Sequence, residues 1–191
     1  MKCPSITVTS HTEPQSANAP GLNIPWAALD EWSAVNDTLR FFTRTRRHRL
    51  HQLFELAAAI TSKMQQLHAL AAELAMATCR FCPAPCCQTA APWFDFNDLL
   101  RIHCCGLPIP PGQPISRYGD VCRYVGPSGC LLPRQQRPWI CAWYACPVQR
   151  GAIHRSPDRY TDYTSTTNDL QKRRSLLEQA FIDGTTGAGI P

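Results

Sequence analysis

The sequence has few charged residues and no long apolar run. Charged side chains make up 17% of the chain and the formal net charge is +5, so ion-pair networks cannot be the main source of stability, and an acidic partner is permitted without being required. No stretch approaches the ~18 apolar residues that a membrane-spanning helix needs, and no signal-peptide-like run follows Lys2. We therefore expect a cytoplasmic protein without a membrane segment, in a compartment that keeps thiols reduced.

Signatures of common catalytic sites are also missing. The chain has no glycine-rich phosphate loop, no dinucleotide fingerprint, no His-Glu-x-x-His pair and no Gly-x-Ser-x-Gly elbow. No enzymatic activity is therefore expected from the motifs, although an iron cluster with only three cysteine ligands keeps an enzyme alternative open. The basic segment 44–49 contains four arginines but no interleaved aromatic residues. We interpret it as a solvated helix face and expect no nucleic-acid partner.

What the sequence has in excess is cysteine and proline, with 11 and 17 residues respectively. All the cysteines except Cys3 lie in one block, from Cys79 to Cys146. Prolines are also frequent there, which predicts loops and turns with short helices. One short helix is expected to open with Asp95 or Asn97 as its N-cap.

A helical pattern precedes the cysteine block. Apolar residues recur at steps of three and four from Leu50 to Leu74, and no glycine or proline interrupts the chain between Trp26 and Arg80. This pattern predicts helices over about 26–42 and 45–77, either separate or continuous. We interpret the apolar seam as packed on its own domain, with a dimerising coiled coil as the alternative.

A second helical pattern follows the block. A capping residue precedes Leu170, and the apolar spacing continues to Phe181, so we expect a helix over about 168–182 that ends at Gly184. The predicted fold class is therefore mainly α, with a helical arm and a C-terminal helix flanking a small irregular cysteine-rich metal-binding core. In order, we expect a flexible tail (1–24), the helical arm (25–78), the cysteine-cluster domain (79–147), a linker with the C-terminal helix (148–184) and a flexible tail (185–191).

The chemistry is concentrated at the start of the block, where residues 79–87 form a C-x2-C-x3-C-C run. Two cysteines separated by two residues can direct both sulfurs at one metal, as zinc and iron–sulfur sites do. The side chains of adjacent Cys86 and Cys87 diverge, so we expect two neighbouring metals, a cluster, or ligation by only one of the pair. Disulfides and a dithiol redox centre are the remaining alternatives for the block.

The spaced motifs of the block resemble those of a known protein family. The opening run, the segment 119–130 with its Gly129-Cys130 pair, and Arg137-Pro138 before Cys141 are similar to the YkgJ-type cysteine-cluster family, a zinc- or iron-chelating CxxCxxCC domain. The resemblance covers residues 79–147 and implies binding of zinc or iron, including an iron–sulfur cluster, but no particular activity. It implies eight metal ligands, which are Cys79, Cys82, Cys86, Cys87, Cys122, Cys130, Cys141 and Cys146.

Two cysteines fall outside that pattern. Cys104 and Cys105 follow His103, and we interpret them as small apolar thiols at a buried helix end, with an added ligand as the alternative. The expected function is thus a metal-binding cysteine-cluster protein. The alternatives are an iron–sulfur enzyme or electron carrier, and an adaptor whose helical arm docks a protein partner around a purely structural zinc. The oligomeric state is left open.

Overall fold

The structure is a computed structural model that describes residues 23–79, 82, 88, 90–127 and 129–186. Most of the expected N-terminal tail, the last residues of the expected C-terminal tail, and Cys86 and Cys87 lie outside these residues.

The described part of the chain is mainly α-helical, which confirms the predicted fold class. In chain order the helices are α1 (Leu29–Thr45), α2 (His51–Thr78), α3 (Phe96–Cys104), α4 (Trp139–Trp143), α5 (Pro147–His154) and α6 (Pro157–Thr186), with 3-10 turns at Arg47–Arg49 and Arg134–Gln136. The strands β1 (Val125–Gly126) and β2 (Gly129–Cys130) pair antiparallel. None of the helices in the described ranges is long and apolar enough to cross a membrane.

The two helices predicted before the cysteine block are present and separate. The 3-10 turn divides α1 from α2, so the continuous helix is wrong, and the basic segment 44–49 lies at a helix corner rather than along one helix face. Two of its arginines have structural contacts. The Arg46 guanidinium donates to the Thr185 carbonyl at 2.7 Å, and Arg47 lies 4.5 Å from the centre of the Phe54 ring.

The apolar seam of α2 is buried inside its own domain, as we interpreted it. Leu53, Ala57 and Ile60 have no exposed surface, and they share one core with residues of α1, α3 and α6. Each fully buried leucine or isoleucine contributes roughly 1.5–3 kcal/mol relative to an exposed one. Because this seam is already covered, it is not the surface of a coiled-coil dimer.

The helix α3 lies inside the cysteine block but packs into the same core as the flanking helices. Its N-cap is Asp95, as predicted, with a reciprocal capping box formed with Asp98. The buried Asp98 also accepts the Trp139 backbone N–H at 3.0 Å and the Arg174 guanidinium at 3.0 Å. One carboxylate therefore joins the starts of α3 and α4 to α6.

The C-terminal helix begins earlier and ends later than predicted. It starts at Pro157, where a proline is favoured in the first turn, and Ser156 Oγ accepts the Arg159 N–H at 3.4 Å. Its polar first half is held by tertiary contacts, such as the 2.6 Å ion pair between Arg159 and Glu73 on α2. Gly184 does not end the helix. A side chain there would collide with Leu50, so this glycine permits close packing.

Candidate metal centre

The described candidate ligands lie at four places around the helices. Cys79 caps the end of α2, and Cys82 follows three residues later. Cys122 precedes the hairpin, and Cys130 lies on its second strand. Cys141 lies on α4, and Cys146 precedes α5. Cys79, Cys82 and Cys141 are exposed, and Cys122, Cys130 and Cys146 are partly buried. Cys86 and Cys87 belong to the part of the chain that the structure does not describe.

The end of α2 meets the start of α5, and this contact brings Cys79 towards Cys146. Gln149, on the first turn of α5, is buried and donates from Nε2 to the Cys79 sulfur at 3.6 Å. Cys146 is the N-cap of the same helix, three residues before Gln149. Cys82 turns back on the same corner, because its N–H donates to the Cys79 carbonyl at 3.2 Å. The chain segments that carry these three candidate ligands therefore meet near the contact between α2 and α5.

The hairpin brings Cys122 and Cys130 to a second corner. Cys130 pairs with Val125 across the strands, and the Val125 N–H donates to the Cys122 carbonyl at 3.0 Å. Tyr124 lies between them and donates its hydroxyl to the Gly112 carbonyl at 2.7 Å. Burial raises the pKa of Tyr124, and both thiols act in the same direction, which places them near one phenol.

Cys141 stands on a helix that is firmly attached to the core. Its neighbour Trp139 is buried and hydrogen-bonds to Asp98, while Trp143 is partly exposed on the following turn. The two indole rings are 6.5 Å apart. Cys141 itself is exposed between these two aromatic residues.

The described thiols alone do not complete a site. Within residues 23–79, 82, 88, 90–127 and 129–186, no three His, Cys, Asp or Glu side chains are grouped so that they could hold a metal ion. Cys79, Cys82, Cys130 and Cys146 are thiols outside any disulfide. The structure thus gathers the candidate ligands into separate corners, and the prediction that they share a metal depends on the undescribed segment around Cys86 and Cys87.

Cys104 and Cys105 end α3 and pack against the main core, in agreement with our interpretation. Burial raises the pKa of Cys104 to about 12, which keeps this thiol protonated. The Cys105 sulfur lies 3.2 Å from the Thr61 hydroxyl. His103 is also engaged, since its Nε2 lies 2.9 Å from Asn36 Oδ1, and burial lowers its pKa to about 4.

Sequence reasoning missed a deeply buried ion pair between α3 and α6. Arg174 pairs with Asp98 at 3.0 Å and also with Asp95, and its guanidinium lies 5.3 Å from the centre of the Trp139 ring. The Asp-x-x-Asp spacing at 95–98 is a signal for a cap that could have pointed to Asp98. No local pattern could have linked it to an arginine 76 residues away.

Comparison with known proteins adds no assignment to this geometry, because the chain matches no family model, no curated protein and no solved structure.

Proposed function

We propose that this protein is a cytoplasmic cysteine-cluster protein that binds zinc or iron. The observation that supports this most is the contact of α5 with the end of α2, where Gln149, three residues after Cys146, donates to the Cys79 sulfur, so segments distant in sequence bring thiols outside any disulfide towards one another. The proposed ligands are Cys79, Cys82, Cys86, Cys87, Cys122, Cys130, Cys141 and Cys146, in line with the resemblance to the YkgJ-type cysteine-cluster family.

The chemistry of the donor set fits these metals. Cysteine thiolates favour zinc or iron–sulfur clusters over magnesium or calcium. The free thiols of Cys79 and Cys82 are exposed, which suits a reducing compartment. Cys86 and Cys87 follow Cys82 closely in sequence and belong to the proposed ligand set.

Loss of metal is expected to destabilise the loops that carry the proposed ligands without unfolding the whole chain. The main core is built from α1, α2, α3 and α6 and contains none of the proposed ligands among its fully buried residues. Metal binding therefore stabilises local structure around the ligands.

Elemental analysis and an absorption spectrum of anaerobically purified protein test the proposal. We expect stoichiometric zinc in colourless protein, or iron with broad visible absorption, which would favour the electron-carrier alternative. Cys82→Ser and Cys146→Ser should lose metal. Cys104→Ser is the matched control, because Cys104 is a buried, protonated thiol outside the proposed ligand set. Reduced wild-type protein that is folded and free of both metals would overturn the proposal.

A further inference from the structure

A cavity of about 460 Å³ lies where the start of α3, the helix α4 and the middle of α6 meet. Its walls include the indoles of Trp93, Trp139 and Trp143, and its polar groups include Asp95. A volume of this size lies in the range of small-molecule sites, which combine mostly apolar walls with a few polar groups. The cavity is separate from the proposed metal ligands, although α4 carries Cys141 on its exposed side.

The tryptophans form a wedge on one side of the cavity. The planes of Trp139 and Trp143 are inclined at 41° with their centres 6.5 Å apart. The third indole, Trp93, packs against the ring of Tyr118, and the two ring centres are 6.0 Å apart. Indole faces carry negative electrostatic potential and attract cations. The Arg174 guanidinium, 5.3 Å from the Trp139 ring centre, already uses one such face.

The charges at the cavity leave one carboxylate accessible. Arg174 contacts both Asp95 and Asp98, and the side chains of Arg174 and Asp98 are 4% and 1% exposed. The Asp95 side chain is 44% exposed. Burial raises the pKa of Asp98 to about 6. The other buried arginine, Arg101, directs its guanidinium to the Gln135 and Arg137 carbonyls. Arg101 nevertheless lies close enough to act on the charge of Asp98, and of the two carboxylates only Asp95 is exposed.

A polar group on the α6 wall lacks a partner. Thr167 Oγ1 is buried and makes no hydrogen bond in the structure, and Thr167 lines the cavity beside Gln171. A buried hydroxyl without a partner costs free energy unless water or a ligand supplies one. This hydroxyl is therefore placed to bind a polar substituent on a molecule in the cavity.

We propose that this cavity binds a small molecule carrying a methylated ammonium group. The indoles supply cation–π and apolar contacts to the methyl groups, Asp95 supplies the opposite charge, and Thr167 accommodates a hydroxyl or similar group. Although Asp95 pairs with Arg174, its exposed carboxylate would repel an anion and attract a cation in the cavity. This inference does not depend on the metal proposal.

Calorimetric titration of the full-length, metal-replete protein with choline tests the inference. The comparison ligand is 3,3-dimethylbutan-1-ol, which has the same shape but no charge. We expect saturable binding of choline and no binding of the alcohol at the same millimolar concentrations. Absence of choline binding, or equal binding of the two ligands, would refute the inference.

Variants locate the binding. Trp143→Leu removes a partly exposed wall and should weaken choline binding about tenfold, within the range of one cation–π contact. Tyr144→Leu is the matched control, because Tyr144 is a similarly exposed neighbouring ring that does not line the cavity. Asp95→Asn retains a capping side chain but removes the charge, and should also weaken binding. Equal effects at Trp143 and Tyr144 would count against this location. Far-UV spectra confirm that each variant is folded.

Discussion

The helical frame, formed by α1, α2, α3 and α6, differs from the cysteine loops, residues 105–146, in what holds each in place. In the frame, apolar stripes from all four helices converge on one core, and helix hydrogen bonds satisfy the backbone. The cysteine loops contribute only spaced anchors to that core, among them Tyr124, Leu132 and Trp139. The frame is therefore expected to fold as a unit, and the loops to depend on it.

Several backbone carbonyls of the loops accept hydrogen bonds from side chains. Arg101, buried in α3, donates to the carbonyls of Gln135 and Arg137 at 2.7 and 3.2 Å. Arg137 in turn donates from Nε to the Leu132 carbonyl at 3.1 Å. Proline-rich loops lack regular ladders, so their carbonyls need such partners. This contrast predicts large losses of stability in the frame and small, local ones in the loops.

The largest effect is expected at the ion pair that joins the two regions. Arg174→Met leaves Asp98 buried without its counter-charge and should lower the free energy of unfolding by about 3–5 kcal/mol. Arg173→Met on the same helix is the control, because its ion pair with Asp169 is about one-third exposed and is worth about 0–1 kcal/mol. Urea denaturation measures both. Similar losses in the two variants would show that burial of the pair does not matter.

Within the frame, Leu170→Ala should cost about 2–5 kcal/mol, because Leu170 has no exposed surface and its truncation leaves a cavity. Leu176→Ala, at a position that is 56% exposed on the same helix, should change the free energy of unfolding by less than about 0.5 kcal/mol. Urea midpoints at constant slope measure the difference. If both variants were equally stable, α6 would not pack as described.

The contact between frame and loops should be sensitive to pH. Burial, followed by the charges of Arg137, Arg101 and Arg134, lowers the pKa of His68 to about 4. Its stabilising contribution is therefore complete above its unfolded value of about 6.5 and is lost as the pH falls towards 4. Over this pH range, the free energy of unfolding of the wild type should fall by up to about 3 kcal/mol relative to that of His68→Leu.

The comparison with His68→Leu is needed because the contribution of Asp98 to stability changes with pH in the opposite direction. Its raised pKa means that its contribution falls as the pH rises from about 4 to about 6. Asp98 is present in both proteins, so the difference between them isolates His68. Urea denaturation at closely spaced pH values supplies the data, and parallel curves for the two proteins would contradict the assignment.

The smallest effect is expected within the loops. Tyr124→Phe removes the 2.7 Å hydrogen bond to the Gly112 carbonyl and should cost about 1 kcal/mol. Tyr118→Phe alters a ring that is 48% exposed and should leave the urea midpoint unchanged. A loss at Tyr124 as large as that at Leu170 would mean that the loops and the frame are equally cooperative, which would remove the distinction between them.

Much of the frame was predictable because its patterns are local. The spacing of Leu53, Ala57 and Ile60 identified the buried face of α2, and Asp95 marked the start of α3. The first half of α6 was missed, because residues 160–168 are rich in threonine and lack apolar periodicity. Contacts with other helices, including the hydrogen bond from Tyr163 to the Trp143 carbonyl, outweigh this weak local preference.

The candidate site was predictable only as a list of residues. The spacing of the C-x2-C-x3-C-C run and the later cysteines predicts a set of metal ligands, but it could not say which ones lie together. The contact of Gln149 with Cys79 and the pairing of Cys130 with Val125 depend on how distant segments meet. Such tertiary contacts arise when whole helices and strands pack together, and they cannot be predicted from spacing along the chain.

By itself, then, the sequence determined the fold class, the buried face of α2 and the cap of α3, because each follows from the chemistry of neighbouring residues. Tertiary structure alone decided the ion pair of Arg174 with Asp98, the tryptophan-lined cavity and the corners at which the cysteines lie. The physical reason is that burial and charge pairing act between side chains that approach only after the helices have packed.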